Sequence, residues 1–293
     1  MKKIGLLFFI FLTLSYGVAV SGEVVGNSYI ISAVALDPNT SECSELWWPF
    51  KQEAELFADK IGSPKTVLVG PDEQTILSSV PEGGASFVFN AGHSAGPDDF
   101  KTTCDTTWIP ATALPPSDLL IAYGCTTMNA EGPGTFASTA KAIVGFVDLA
   151  SPTCLDCLNH SLPFITEILN GLGNGNMVGD AFNNAGLMFP ECVDTGCAQL
   201  GGDPTVKIYT PPAECGDRAT SYATHETEWS SDSVWCKFGS SEETPPFPEP
   251  GKSVSWVCIQ SDGTTAQCAA TKDARKNISY YMPVILSAGK NRK

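Results

Sequence analysis

A histidine and a cysteine, each just past the end of a short apolar run, are the residues of this chain best suited by type and spacing to covalent chemistry. His93 follows residues 86–90 (SFVFN) through Ala91 and Gly92, and Cys125 follows residues 119–123 (LLIAY) through Gly124. A thiol with a pKa near about 8.5 is mostly protonated at neutral pH, so a cysteine nucleophile needs an imidazole or a helix N-terminus to raise its thiolate fraction. Cys125 is offered both. His93 supplies the acid–base partner, and a helix predicted after Cys125 would aim backbone N–H groups at a developing oxyanion, together with the N–H of Cys125 or Ser94. The competing reading makes Cys125 a disulfide partner, with Cys104 as its mate, and His93 a satisfied residue at a strand end.

The two runs belong to a series. Residues 29–36 (YIISAVAL), 66–69 (TVLV), 86–90, 119–123 and 142–147 (AIVGFV) are short, mostly continuous apolar runs and read as buried strands. Helical spacing lies between them at 50–61, where Phe50, Ala54, Leu56, Phe57 and Ile61 recur, and at 75–80 and 134–141. Further helices are predicted at 162–169 and 178–185, before an edge strand at 205–209. Alternating strands and helices imply a parallel sheet covered on both faces. Ligands in such sheets sit beyond the carboxyl ends of the strands. If the strands before His93 and Cys125 are neighbours, about 4.8 Å apart, the two residues share one centre. The 31 residues between them suffice for a crossover.

The opening residues set the compartment. Lys2 and Lys3, an apolar stretch at 4–20 and small residues at Ala19-Val20-Ser21 have the layout of a secretory signal peptide, so residues 1–21 are expected to be removed and the protein to be secreted, periplasmic or at the cell surface. Nothing later reaches the roughly 18 to 20 apolar residues of a membrane span. Losing the two lysines takes the formal charge from −15 to −17, which disfavours nucleic acid and anionic membranes as partners. All eleven cysteines follow the cut, and an odd count in an exported chain leaves one thiol over. Cys154, Cys157, Cys192 and Cys197 read as disulfides rather than a zinc site or a redox motif, so neither metal nor cofactor is expected.

At Thr210-Pro211-Pro212 the texture changes. The boundaries drawn are 22–212 for an α/β domain, 213–272 for a small Cys- and Trp-containing β module and 273–293 for a tail holding the apolar segment 280–286. The module is too small to rest on a core alone, so Cys215, Cys236, Cys258 and Cys268 should form two disulfides, in any of three connectivities. Trp229, Trp235 and Trp256 are expected to form its core. Asn39, Asn159 and Asn277 begin glycosylation-like triplets, and His160 and His225 read as surface residues.

With FVFNAGHS ending at Ser94 and LLIAYGC ending at Cys125, the chain resembles the caspase-like cysteine peptidases, the group that includes caspases, legumain, clostripain and the gingipains. AKAIVGFVD (140–148), VGDAF (178–182) and LGGDPTVKIY (200–209) are similar to further segments of that group, so the resemblance covers most of residues 28–210. It implies a three-layer α/β sandwich with a mostly parallel sheet, followed here by the small disulfide-rich β module. It also implies a cysteine endopeptidase acting on protein or peptide substrates, with His93 and Cys125 catalytic and the backbone of Ser94 and Cys125 at the oxyanion. Asp148 would line a specificity pocket for a basic residue; its other reading is a helix cap. Asp203, in the Gly-Asp-Pro segment, is explained by turn formation. The chain departs from the pattern in placing Ser94 where the group usually has glycine, which leaves open a catalytically inactive surface binding or scaffold protein. The 256–268 segment resembles modules of bacterial surface proteins, which implies cell-surface attachment.

Overall fold

The structure, a computed structural model, describes residues 23–24, 26–36, 43–81, 83–104, 107–129, 132–260 and 263–274. Residues 1–21, read above as a signal peptide, the triplets at Asn39 and Asn277 and the apolar segment 280–286 lie outside the described residues. The chain divides into two compact units between Pro211 and Pro212.

The first unit is built on a six-stranded sheet of β1 (Ser28–Ser32), β2 (Lys65–Val69), β3 (Ala85–Ala91), β4 (Ser117–Tyr123), β5 (Ala140–Phe146) and β6 (Ala198–Gly202), in the order β6-β5-β4-β3-β1-β2. Every neighbouring pair is parallel except β5 with β6. The inner strands are mostly apolar because both faces are covered. Ile30, Phe87, Phe89, Leu119, Ile121 and Val144 face helices α1 (Trp48–Ile61), α3 (Leu155–Gly173) and α4 (Val178–Met188). Their alternates Tyr29, Ile31, Val88, Leu120, Ala122 and Ile143 face α2 (Glu73–Ser79) and the 3-10 turns Ala111–Ala113 and Gly134–Ser138. Two interleaved sets with period two, each packed on its own layer, make a three-layer α/β sandwich.

Four predicted elements differ. Residues 29–36 are not one strand: β1 ends at Ser32, and Ala35–Leu36 pairs separately with Cys43–Ser44. The helix expected at 134–141 is a 3-10 turn, with Pro133 before it and Phe136 as its only buried anchor, and β5 starts at Ala140. The edge strand is Ala198–Gly202 rather than 205–209; the Asp203 carboxylate accepts hydrogen bonds from Thr205 N–H (2.8 Å) and Thr205 Oγ1 (2.7 Å), closing a turn where a strand would have to run. Helix α3 begins seven residues earlier than predicted and carries Pro163 inside it. Its first turn is pinned by disulfides Cys154–Cys197 and Cys157–Cys192, which the pattern of apolar spacing does not register.

The second unit centres on a hairpin of β7 (Ser253–Ile259) and β8 (Thr265–Lys272), flanked by Ser240–Ser241 and Ser221–Tyr222. Disulfides Cys215–Cys268 and Cys236–Cys258 tie it. Trp256 is buried with Tyr222, and Trp229, Trp235 and Phe247 pack against them. The Arg218 guanidinium lies 4.2 Å over the Trp235 ring. Trp256 is core, Trp229 and Trp235 are partly buried against it, and the aromatic area they bury compensates for the unit's small size. Among the described residues no helix is long and apolar enough to cross a membrane.

Candidate functional site

Strands β3 and β4 run parallel with Ala91 opposite Tyr123, so His93 and Cys125 each lie two residues beyond the last paired position of adjacent strands. The backbones stay joined past that point. Gly92 N–H donates to Tyr123 O at 2.9 Å, Thr126 Oγ1 donates to Ser94 O at 2.9 Å, and Ser94 Oγ lies 3.2 Å from Thr126 O. These links bracket both candidate residues. Such an approach requires the glycines: a Cβ at Gly124 would stand 2.8 Å from Gly92 O, and one at Gly92 would stand 2.8 Å from both Ala33 Cβ and Lys101 O. Ser94 is buried, and its hydroxyl is also 2.6 Å from Gly96 O and 3.1 Å from Asp99 O, so the side chain is spent on backbone carbonyls. His93 opens a short hairpin, His93–Gly96 with Asp99–Lys101, and its exposed imidazole meets the Trp47 ring edge-on at 4.8 Å.

Cys125 is half-buried and is the free cysteine among the described residues, whereas Cys104 is disulfide-bonded; a Cys104–Cys125 bridge is therefore excluded. No hydrogen bond joins the thiol to the imidazole. The helix expected after Cys125 is absent, and Cys125 and Thr126 form a turn instead. Successive β-branched residues, then Gly132 and Pro133, give little helical propensity. The loop is held by Thr127, whose buried hydroxyl donates to Ala122 O (2.8 Å) and accepts from Phe146 N–H (2.8 Å), bridging the ends of β4 and β5. Thr127→Val should cost about 1–3 kcal/mol, because it keeps the shape and leaves the Phe146 N–H buried without a partner; chemical denaturation would measure it.

No family model and no curated protein matches the chain. Among solved structures it is similar to the Arg-specific cysteine proteinase gingipain R (RGPB), at 13% identity and a TM-score of 0.42 over 85% of this chain and 67% of that one. It is also similar to the complex of Porphyromonas gingivalis RgpB pro- and mature domains, at 12% identity and a TM-score of 0.38 over 85% and 69%.

The electrostatics hold both candidate groups neutral. Burial, and then the Asp148 carboxylate, push the Cys125 thiol above its ordinary pKa. Desolvation, and then the Lys101 ammonium, pull His93 below its ordinary pKa. Each charged form is disfavoured, which favours thiol and imidazole over a thiolate–imidazolium pair. Asp148 is exposed and does not cap α3, whose N-cap is Cys154. It is the one non-glycine residue with a left-handed φ (41°) among the described residues, and the next residue, Leu149, donates its N–H to Cys125 O at 2.9 Å. Asp148→Asn removes a negative charge that opposes the thiolate, so iodoacetamide should alkylate Cys125 at pH 7.5 about two- to fivefold faster, the range expected of one partly solvated charge pair.

Trp47, Tyr123, Thr127 and Lys101 were not evident as site residues from the sequence. Tyr123 stacks on Phe50 at 4.0 Å and bonds Ser161 Oγ at 3.0 Å, fixing the end of β4 against α1 and α3. The one signal that could have found Trp47 is the pair Trp47-Trp48 immediately before Pro49 at a helix start.

Proposed function

We propose that this chain is an exported cysteine endopeptidase using Cys125 and His93. The observation that carries the reading is a single one: the cysteine left free among the described residues lies on a loop hydrogen-bonded to the loop that bears His93. In the reaction, Cys125 Sγ attacks the peptide carbonyl carbon while His93 takes the thiol proton, and the N–H groups of Ser94 and Cys125 hold the oxyanion. Collapse breaks the C–N bond, and the imidazolium passes its proton to the leaving amine. Water, deprotonated by His93, then cleaves the thioester and the proton returns to sulfur. A basic side chain before the scissile bond would meet Asp148 and relieve its opposition to the thiolate. The disulfides suit an oxidising compartment, and the signal segment provides the route there. The C-terminal unit serves attachment to the cell surface.

The test is native-state alkylation followed by peptide mapping, run beside a hydrolysis assay on an unfolded protein substrate. One label at Cys125, with hydrolysis lost in proportion to labelling, is the expected result. Hydrolysis that persists with Cys125 fully alkylated would overturn the reading and leave the scaffold alternative.

A further inference from the structure

The peptidase reading gives His93 a direction. Its imidazolium must hand a proton to the departing amine, so the leaving-group side of a bound peptide passes His93 and whatever flanks it. What flanks it is Lys101, its directly paired cross-strand neighbour in the antiparallel hairpin. Opposite residues of an antiparallel pair project from the same face with Cβ atoms about 4.5–5.5 Å apart. Lys101 is half-buried, and its ammonium has no ion-pair partner among the described residues, in a chain with 32 acidic and 17 basic side chains.

Beside an imidazole, this lysine opposes the positive charge His93 must acquire when it takes the Cys125 proton. The charged groups on the surrounding elements include Asp98 and Asp99 on the hairpin, Asp148 beyond β5 and Glu45 ahead of Trp47; burial and then Lys101 disfavour the imidazolium. The opposition from Lys101 disappears if an anion docks on its ammonium during the reaction.

We propose that Lys101 is the subsite for an acidic side chain on the leaving-group side of the scissile bond, and that docking of this carboxylate permits His93 to carry charge. The inference rests on the peptidase reading and adds a substrate class to it: peptides with Asp or Glu just beyond the bond to be cut. Selectivity would arise in kcat as well as KM, because the carboxylate is worth more when the imidazolium has formed than when it has not. The chain's overall negative charge repels acidic peptides at long range. At about 0.15 M salt that repulsion is screened beyond roughly 8 Å and the local pair remains.

Two measurements decide it. Matched peptides differing only in Glu against Gln at the first position past the cleaved bond should show a kcat/KM ratio of about two- to fivefold in favour of Glu, as expected of one solvated ion pair. Lys101→Met should bring the ratio to one while still cleaving the Gln peptide, and Lys101→Arg should restore it. An undiminished ratio in Lys101→Met overturns the proposal. The second measurement needs no turnover: with three histidines in the chain, NMR titration can follow His93 alone. Its midpoint should rise in Lys101→Met and stay near the native value in Lys101→Arg. A midpoint that does not move in Lys101→Met also overturns the proposal. Failure of every peptide to be cleaved would count against the peptidase reading, while the titration would still decide the coupling of Lys101 to His93.

Discussion

Cys125→Ala is expected to reduce peptide hydrolysis by about a thousandfold or more while leaving the fold intact. In nucleophile-based catalysis the residues act as a unit, and removal of the nucleophile leaves only what binding and the oxyanion donors supply. The stability side of the expectation follows from the local structure. Cys125 makes no disulfide and is half-buried, while its loop is held by Thr127, by the Thr126–Ser94 pair and by Leu149 N–H on its carbonyl. Losing one sulfur should therefore cost under about 1 kcal/mol, within the range of substitutions away from packed or bonded groups. Initial rates on a fluorogenic peptide and an unfolding curve for the same preparation give both quantities. An unfolded variant would show in the second, and native-like hydrolysis by a folded variant would refute the catalytic assignment. His93→Ala should give a comparable loss of rate, though with a larger stability change, because the ring it removes packs on Trp47.

Most of the sheet could be read from the sequence because its signal is local. A strand covered on both faces is mostly apolar along its length, and the runs at 86–90 and 119–123 carry that signature without help from the rest of the chain. The adjacency of β3 and β4, on which the site depends, could only be supposed. Strand order is a tertiary property, and it appears in the structure as the Ala91–Tyr123 register. The failures have a shared cause. Residues 126–129 and 203–205 are shaped by side chains bonding to backbone, Thr127 to Ala122 and Phe146 and Asp203 to Thr205, and such bonds override periodicity. The start of α3 was hidden for a different reason: Pro163 looks like a first-turn residue, yet two disulfides hold the turns before it in place.

The candidate site shows the same division. His93 and Cys125 were visible as residue types at strand ends, but their electrostatic setting was not. The sequence suggested a thiol activated by an imidazole and a helix N-terminus. Cys125 and Thr126 form a turn instead of opening a helix, and burial, with Asp148 acting on the thiol and Lys101 on the imidazole, disfavours the charged form of each. The dipeptides Gly92-His93 and Gly124-Cys125 carry little information as text. In three dimensions each glycine is the point where one loop's backbone meets another.

That contact yields the second large expected effect, in Gly124→Ala. The added methyl would lie 2.8 Å from Gly92 O, 3.1 Å from Ser94 Cβ and 3.1 Å from Thr127 Cγ2. A backbone carbonyl cannot rotate away, and it belongs to the residue before His93, so relief must come from separating the two loops. Overpacking of this kind should cost about 1–3 kcal/mol of stability. Its effect on rate should be greater, on the order of a hundredfold, since a displacement approaching 1 Å between nucleophile and base spoils alignment even when both residues are present. Gly96→Ala in the same hairpin is the control: a methyl there would meet nothing within 4 Å, and its stability should stay within about 0.5 kcal/mol of the native protein with its rate unchanged. Measuring kcat/KM well below the unfolding midpoint separates misalignment from partial unfolding. A Gly124→Ala protein that is destabilised yet cleaves at the native rate would mean that the approach of these two loops supports the fold and has no part in setting the distance between sulfur and imidazole.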